Sequence, residues 1–221
     1  MIHRLFILGG KNNRMNVANK LTLMRIFLIP FFMVCLLYGE SDTRSMAVVI
    51  LRCLAFFIFV VASLTDVIDG YVARKYNMIT NFGRLFDPLA DKMLVTVAFV
   101  GFVEMKLFPA WIVILILCRE FLVTGLRTLG MSQGRIIHAD RWGKHKTISQ
   151  IITIIATLVF VCAKQILDYT GHWDKIIVRQ MEADWWYLLG LKILLCYCAA
   201  LTLFSGIIYL FRNRDLFHVD K

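Results

Sequence analysis

Four aspartates, Asp66, Asp69, Asp87 and Asp91, fall within one stretch, DVIDGYVARKYNMITNFGRLFDPLAD. Wound as a helix at about 100° per residue, with Asp66 as zero, Asp69 lies near −60°, Ala73 near −20°, Gly70 near +40° and Arg74 near +80°. Two carboxylates, two small side chains and a guanidinium thus share one face. The small pair lets a bulky group approach the backbone, and the arginine can grip a phosphate with two parallel hydrogen bonds. Gly83, Asp87 and Asp91 follow at i, i+4 and i+8, which is again one stripe. Pro88 suits the first turn of a second helix, where a missing N–H costs little. The tract NMIT with Asn81 and Phe82 is expected to turn the chain back, so that two carboxylates face two. Four carboxylates at such a site repel one another and resist desolvation. Either some are protonated or divalent cations neutralise them. Oxygen-only ligands beside a phosphate suit Mg²⁺ or Mn²⁺ rather than zinc, and a pair of such ions serves phosphoryl transfer. The plainer alternative is a solvated acidic loop paired to Arg74, Lys75 and Arg84.

The surrounding chain is far more apolar than a soluble domain. Of 221 residues, 59% are hydrophobic, and the mean hydropathy is +0.70; soluble domains sit at roughly 45–50% apolar. A helix needs about 20 residues to cross a bilayer, and six such segments are expected near 21–38, 46–66, 88–105, 108–127, 147–164 and 185–211. The fold class is therefore all-α: a polytopic membrane protein with six transmembrane helices and an N-terminal amphipathic surface helix. Residues 1–18 form the juxtamembrane arm, 19–211 the six-helix domain and 212–221 a tail. The 20 residues from Met46 to Thr65 already cover about 30 Å, so Asp66 arrives at headgroup depth.

Charge sets the expected orientation. Arg4, Lys11, Arg14, Lys20, Arg74, Lys75, Arg84, Arg127, Arg135, Arg141, Lys144, Lys146, Arg212, Arg214 and Lys221 fall on one side, 15 cations against five on the other: Arg44, Lys106, Lys164, Lys175 and Arg179. The positive-inside rule makes the first side, with both termini and the acid stretch, cytoplasmic. The net charge of +10 fits anionic lipid headgroups, and no soluble domain remains to read nucleic acid. The cysteines at 35, 53, 118, 162, 196 and 198 lie in apolar spans without a C-x-x-C pair. They read as packing residues.

The pattern Asp66-x-x-Asp69-Gly70-x-x-Ala73-Arg74, eight residues, then Gly83-x-x-x-Asp87-x-x-x-Asp91 resembles the complete motif of the CDP-alcohol phosphotransferases. NVANKLTLMRIFLIP is similar to that family's first-span segment, with Ala18 where a proline is common. CREFLVTGLR and RWGKHKT resemble the bacterial phosphatidylglycerophosphate synthases, and the likeness covers roughly residues 16–160. The resemblance implies a CDP-linked lipid, CDP-diacylglycerol, giving its phosphatidyl group to an alcohol while CMP leaves. It implies two divalent ions on Asp66, Asp69, Asp87 and Asp91, with Asp91 also the base. Asn19, Thr22, Gly70, Arg74 and Thr80 would contact the CDP-lipid. It further implies a homodimer in a bacterial inner (cytoplasmic) membrane.

The acceptor is suggested by cations. Arg119 lies inside an apolar span, where a charge is costly and functional by default; Arg127 is within about 80° of it on a helix, and Glu120 within about 20° of Arg127. A loop is expected to follow with Arg135, Arg141, Lys144 and Lys146. Such a concentration fits an alcohol with its own phosphate, glycerol 3-phosphate; choline would call for aromatic and acidic groups. Loop cations serving only topology and lipid contact are the simpler explanation. His138 and His145 read as solvated, Trp173, Trp185 and Trp186 as an outer interfacial belt, and Arg25 and Lys192 as intramembrane cations without an assigned partner. Intramembrane prenyltransferases also use aspartates and Mg²⁺, but they need a further Asp where this chain has Ala73. A transporter with buried acids would not need Gly70, Ala73 and Arg74 on the acid face.

Overall fold

The computed structural model describes residues 17–38, 45–75, 81–132, 141–172, 177–178 and 181–212, with side chains described at 23–38, 45–65, 92–128, 130, 145–172 and 185–212. The described residues form six helices: α1 Val17–Leu37, α2 Met46–Lys75, α3 Asn81–Glu104, α4 Ala110–Ser132, α5 Arg141–Tyr169 and α6 Ala183–Arg212. A hairpin of two-residue strands, β1 Ile177–Val178 and β2 Met181–Glu182, precedes α6, with Ile177 opposite Glu182. The expected N-terminal surface helix lies outside the described residues.

The helices pack as two triplets. α1 lies against α2 and α3, α6 lies against α4 and α5, and α2 on α5 joins the halves, with lighter contacts from α3 to α4 and α5. The core is aromatic on one side and aliphatic on the other. Phe32 and Phe59 meet at 5.8 Å between ring centroids, and Phe102 meets Phe108 edge-on at 5.3 Å; Ile116, Ile154, Leu158, Leu191 and Leu195 fill the other half. A Cβ at Gly101 would stand 2.8 Å from Leu36 Cδ2, so α1 and α3 approach as closely as they do because that side chain is absent.

Large apolar side chains also cover the outside. Phe27 is 71% exposed and Phe211 74%, an arrangement that lipid, not water, rewards. Three helical stretches are long and apolar enough to cross a membrane: Met46–Thr65, His145–Tyr169 and Trp185–Arg212, with mean hydropathies of 2.7, 2.0 and 2.2. The protein is thus an all-helical membrane protein. The apolar part of α1 among the described residues, Leu23–Leu37, is shorter, α3 gives its start to the acid stripe, and α4 carries Arg119, Glu120 and Arg127.

Several expected boundaries move. α3 starts at Asn81, so Asn81 and Phe82 belong to the helix rather than the turn, and Pro88 sits in its interior. Proline there removes the N–H that would bond the Arg84 carbonyl, a cost that the helix absorbs. Arg141, Lys144 and Lys146 are not in a loop but in the opening turns of α5. Both C-terminal turns at the opposite end of the bundle close in the same way. Leu107 N–H donates to Phe102 and Lys106 N–H to Val103, with Lys106 at φ 57°; His172 N–H donates to Leu167 and Gly171 N–H to Asp168, with Gly171 at φ 67°. Both are Schellman caps, which satisfy carbonyls that the helix end leaves over. The six cysteines are all free.

Candidate active site

α2 does not end with its apolar run. It continues without a break from Met46 to Lys75, so Asp66, Asp69, Gly70, Ala73 and Arg74 stand at helical spacing on one face. Asp87 and Asp91 stand one turn apart in α3. Only residues 76–80 separate the two helices, and that length holds Lys75 and Asn81 within about 20 Å of each other. The side chains of Asp66, Asp69, Arg74, Asp87 and Asp91 lie outside the described ones, as do the surroundings of Gly70 and the side chains of Asn19 and Thr22 on α1 and of Arg141 and Lys144 on α5. Thr80, Arg135, His138 and Trp173 lie outside the described residues altogether.

The residue after Asp91 links this end of α3 to the basic cluster. Lys92 Nζ donates to Thr124 Oγ1 on α4, and the Thr124 hydroxyl donates to the backbone carbonyl of Glu120, one turn earlier in α4, at 2.8 Å. Glu120 is the centre of the cluster. Its Oε1 receives Lys146 Nζ from α5, lies 3.1 Å from Gln150 Nε2 and 3.6 Å from Arg119 Nη1. Lys146 is buried, and only a tenth of the Arg119 side chain is exposed. A buried cation needs a counter-charge, and one carboxylate serves two here. Arg119 Nη2 donates to Ser205 Oγ on α6 at 2.8 Å, while its Nε is buried without a hydrogen-bond partner among the described residues.

Of the cations expected to serve an acceptor, then, Arg119 and Lys146 come together, three helices contributing, whereas Arg127 is exposed a little over two turns further along α4. Glu120 and Arg127 share a direction on α4, two turns apart, and the Glu120 carboxylate meets Lys146, Gln150 and Arg119. Gln150, Ser205 and Gly206 were not foreseen, and Glu120 is placed by the sequence only by its direction on the helix. An acid beside Arg119 in an apolar span was the available signal for Glu120; Ser205 and Gly206 carried none. Of the other expected outliers, Arg25 is buried in α1, while Lys192 on α6 and His145 on α5 are exposed. Trp185 and Trp186 pack edge-to-face at 4.7 Å at the start of α6.

A family model described as CDP-alcohol phosphatidyltransferase matches residues 15–204. The chain belongs to the CDP-alcohol phosphatidyltransferase family. It is 45% identical over 148 residues to a Bacillus subtilis protein named CDP-diacylglycerol–glycerol-3-phosphate 3-phosphatidyltransferase, covering 65% of this chain and 77% of that one. It is 40% identical over 147 residues to a probable phosphatidylglycerophosphate synthase of Mycobacterium tuberculosis, covering 66% and 68%. A Rickettsia felis protein with the same name as the Bacillus one is 37% identical over 139 residues, covering 63% and 72%. Membership of this phosphatidyltransferase family leaves no place for the prenyltransferase and transporter alternatives, and the acid stretch lies within the matched residues.

Proposed function

We propose that this enzyme transfers the phosphatidyl group of CDP-diacylglycerol to glycerol 3-phosphate, releasing CMP and forming phosphatidylglycerophosphate. The names of the relatives support this reaction. The observation that supports the acceptor best is the cluster in which the Glu120 carboxylate holds Lys146 and lies by Arg119, on the turn of α4 that Lys92 reaches through Thr124 and its bond to the Glu120 backbone carbonyl. That turn ties the buried cations to the residue beside Asp91. A dianionic alcohol needs such cations, because a pyrophosphate already claims the charge at the acid motif.

The acceptor's hydroxyl oxygen forms a bond to the phosphorus that bears the diacylglycerol. The bond from that phosphorus to the oxygen of the CMP phosphate breaks, and CMP departs with the electron pair. Asp91 takes the hydroxyl proton. Arg74, with Gly70, Asn19, Thr22 and Thr80, holds the CDP-lipid, while Arg119, Lys146, Arg127, Arg141 and Lys144 orient the acceptor's phosphate. The donor set of Asp66, Asp69, Asp87 and Asp91 is hard oxygen throughout and fits two Mg²⁺ or Mn²⁺ ions. Bound there, the ions would neutralise charge on the pyrophosphate and the departing CMP. Asp66 and Asp69 stand on one helix and Asp87 and Asp91 on another, so such a site would pin α2 to α3.

The same proposal includes six spans, α1 to α6, in a bacterial inner membrane, with the termini and the acid motif cytoplasmic. It also includes a homodimer, with residues 19–211 as its six-helix domain, 1–18 as an amphipathic arm and 212–221 as a tail. An acceptor screen tests the function. Purified protein in detergent, given CDP-diacylglycerol and Mg²⁺ or Mn²⁺, should release CMP when glycerol 3-phosphate is added. CMP release with serine, inositol phosphate or phosphatidylglycerol, and none with glycerol 3-phosphate, would replace the acceptor and keep the reaction class.

A further inference from the structure

We propose that Ser205 and Gly206 on α6 form the seat that fixes Arg119, and so set the affinity for the phosphate of the acceptor; this rests on the acceptor subsite proposed above. Arginine's long stem has many rotamers, and holding it for a ligand costs side-chain entropy. Here the stem is laid against the backbone of α6. A Cβ added at Gly206 would stand 2.7 Å from Arg119 Cγ, 3.0 Å from Nε and 3.4 Å from Cδ. The first distance is one that real Cβ atoms do not tolerate, so any side chain at 206 displaces the arginine. Ser205 then fixes the far end, accepting from Nη2 at 2.8 Å.

What makes this a seat for a ligand-binding group, and not only helix packing, is how little of the guanidinium the described residues consume. It has five N–H donors in a planar fork. One is used on Ser205. Nη1 stands 3.6 Å from Glu120 Oε1, close enough for attraction but too long for a hydrogen bond, and Nε is buried with no acceptor. Nε faces Gly206, so an oxyanion would be met by the Nη hydrogens that Ser205 does not take. The group is therefore immobilised by contacts that, among the described residues, take one Nη hydrogen as a hydrogen bond. This is the preorganisation that lowers the cost of binding. The ligand class is a phosphate monoester of a small alcohol.

The test uses the full chain in detergent with glycerol 3-phosphate and CDP-diacylglycerol as substrates. Gly206→Ala should raise the KM for glycerol 3-phosphate roughly tenfold or more, as the loss of a hydrogen bond to a charged group does, and move the KM for CDP-diacylglycerol far less. Ser205→Ala should act in the same direction by a smaller factor. Because it removes an oxygen and adds no volume, it decides the matter if Gly206→Ala does not fold. Both effects should vanish in an Arg119→Ala background, where there is nothing left to seat. If the two variants raise KM as much in that background as alone, they act through helix packing and the inference is wrong. If Arg119→Ala raises the KM for glycerol 3-phosphate but neither α6 variant does, the seat fails and the acceptor subsite stands. If Arg119→Ala itself leaves that KM unchanged, the subsite fails and takes the seat with it.

Discussion

Lys146 on α5 donates its ammonium hydrogen to Glu120 on α4, and the lysine is buried. The pair joins two helices that meet beside α6, in sequence otherwise chosen for burial in hydrocarbon. The carboxylate also lies 3.6 Å from Arg119 and takes a hydrogen bond from Gln150 at 3.1 Å. The two partners are therefore unequal. Loss of Lys146 leaves Glu120 with an amide donor and a guanidinium nearby, whereas loss of the carboxylate leaves two cations facing each other.

Glu120→Gln should accordingly destabilise more than Lys146→Met. Removing one partner of a buried pair costs about 3–5 kcal/mol, and Glu120→Gln should approach that figure, with Lys146→Met well below it. The thermal midpoints of the two variants in one detergent provide the comparison. Equal losses would mean that Arg119 does not share the carboxylate.

The metal prediction concerns residues that helical spacing alone singles out. Asp66→Ala, Asp69→Ala and Asp87→Ala should each abolish CMP release and weaken Mn²⁺ binding, followed by electron paramagnetic resonance on the purified protein. Chelator should stop turnover reversibly. Asp91→Asn keeps the shape and removes the basicity, so turnover should fall by about 10²-fold or more. Full turnover in excess chelator would remove the two-ion proposal.

How much of this was legible in the sequence depends on the range over which each feature is set. The acid stripes are local. Asp66 to Arg74 and Gly83 to Asp91 repeat at helical spacing, and α2 and α3 run through both. Helix ends were harder, because Arg141, Lys144 and Lys146 look like loop residues by charge, while their backbone is that of a helix serving Glu120 through Lys146. Pro88 misled for a related reason: proline marks first turns on average, but a helix held by packing on α1 tolerates it inside. Lys106 in a left-handed conformation, and Arg119 resting on Gly206 some 87 positions later in the chain, depend on contacts that no local pattern carries.

The cap at the end of α5 offers a stability test that is free of packing effects. Gly171 adopts φ 67° and nothing lies within 4 Å of where a Cβ would be. Gly171→Ala therefore changes the backbone cost alone. A left-handed conformation costs an ordinary L-residue about 1–2 kcal/mol, while alanine's smaller loss of backbone freedom on folding returns part of it. A net loss of about 1 kcal/mol is expected, visible as a lower thermal midpoint with both KM values unchanged. A stabilised variant would show that the left-handed cap does not form.

Arg119 and Arg127 share α4 but not an environment, and their variants should separate. Arg119 is nearly covered, bound to Ser205 on α6 and close to Glu120; Arg127 is exposed. A charge in a low-dielectric setting acts on a phosphate with little screening, whereas an exposed one acts through water and salt. Arg119→Ala should thus raise the KM for glycerol 3-phosphate roughly tenfold to over a hundredfold, the range for losing one hydrogen bond to a charged group, and the rise should persist at high salt. Arg127→Ala should raise it less, and the difference from the parent enzyme should shrink as ionic strength increases past the point where the Debye length falls to about 3 Å, near 1 M. The KM for CDP-diacylglycerol should stay nearly constant in both, since in the proposed site Arg74 and the acid motif hold that substrate. Should the two arginines show equal effects with equal salt dependence, burial would not be what distinguishes them, and the acceptor's phosphate would have to sit in the open mouth of the site rather than against α6.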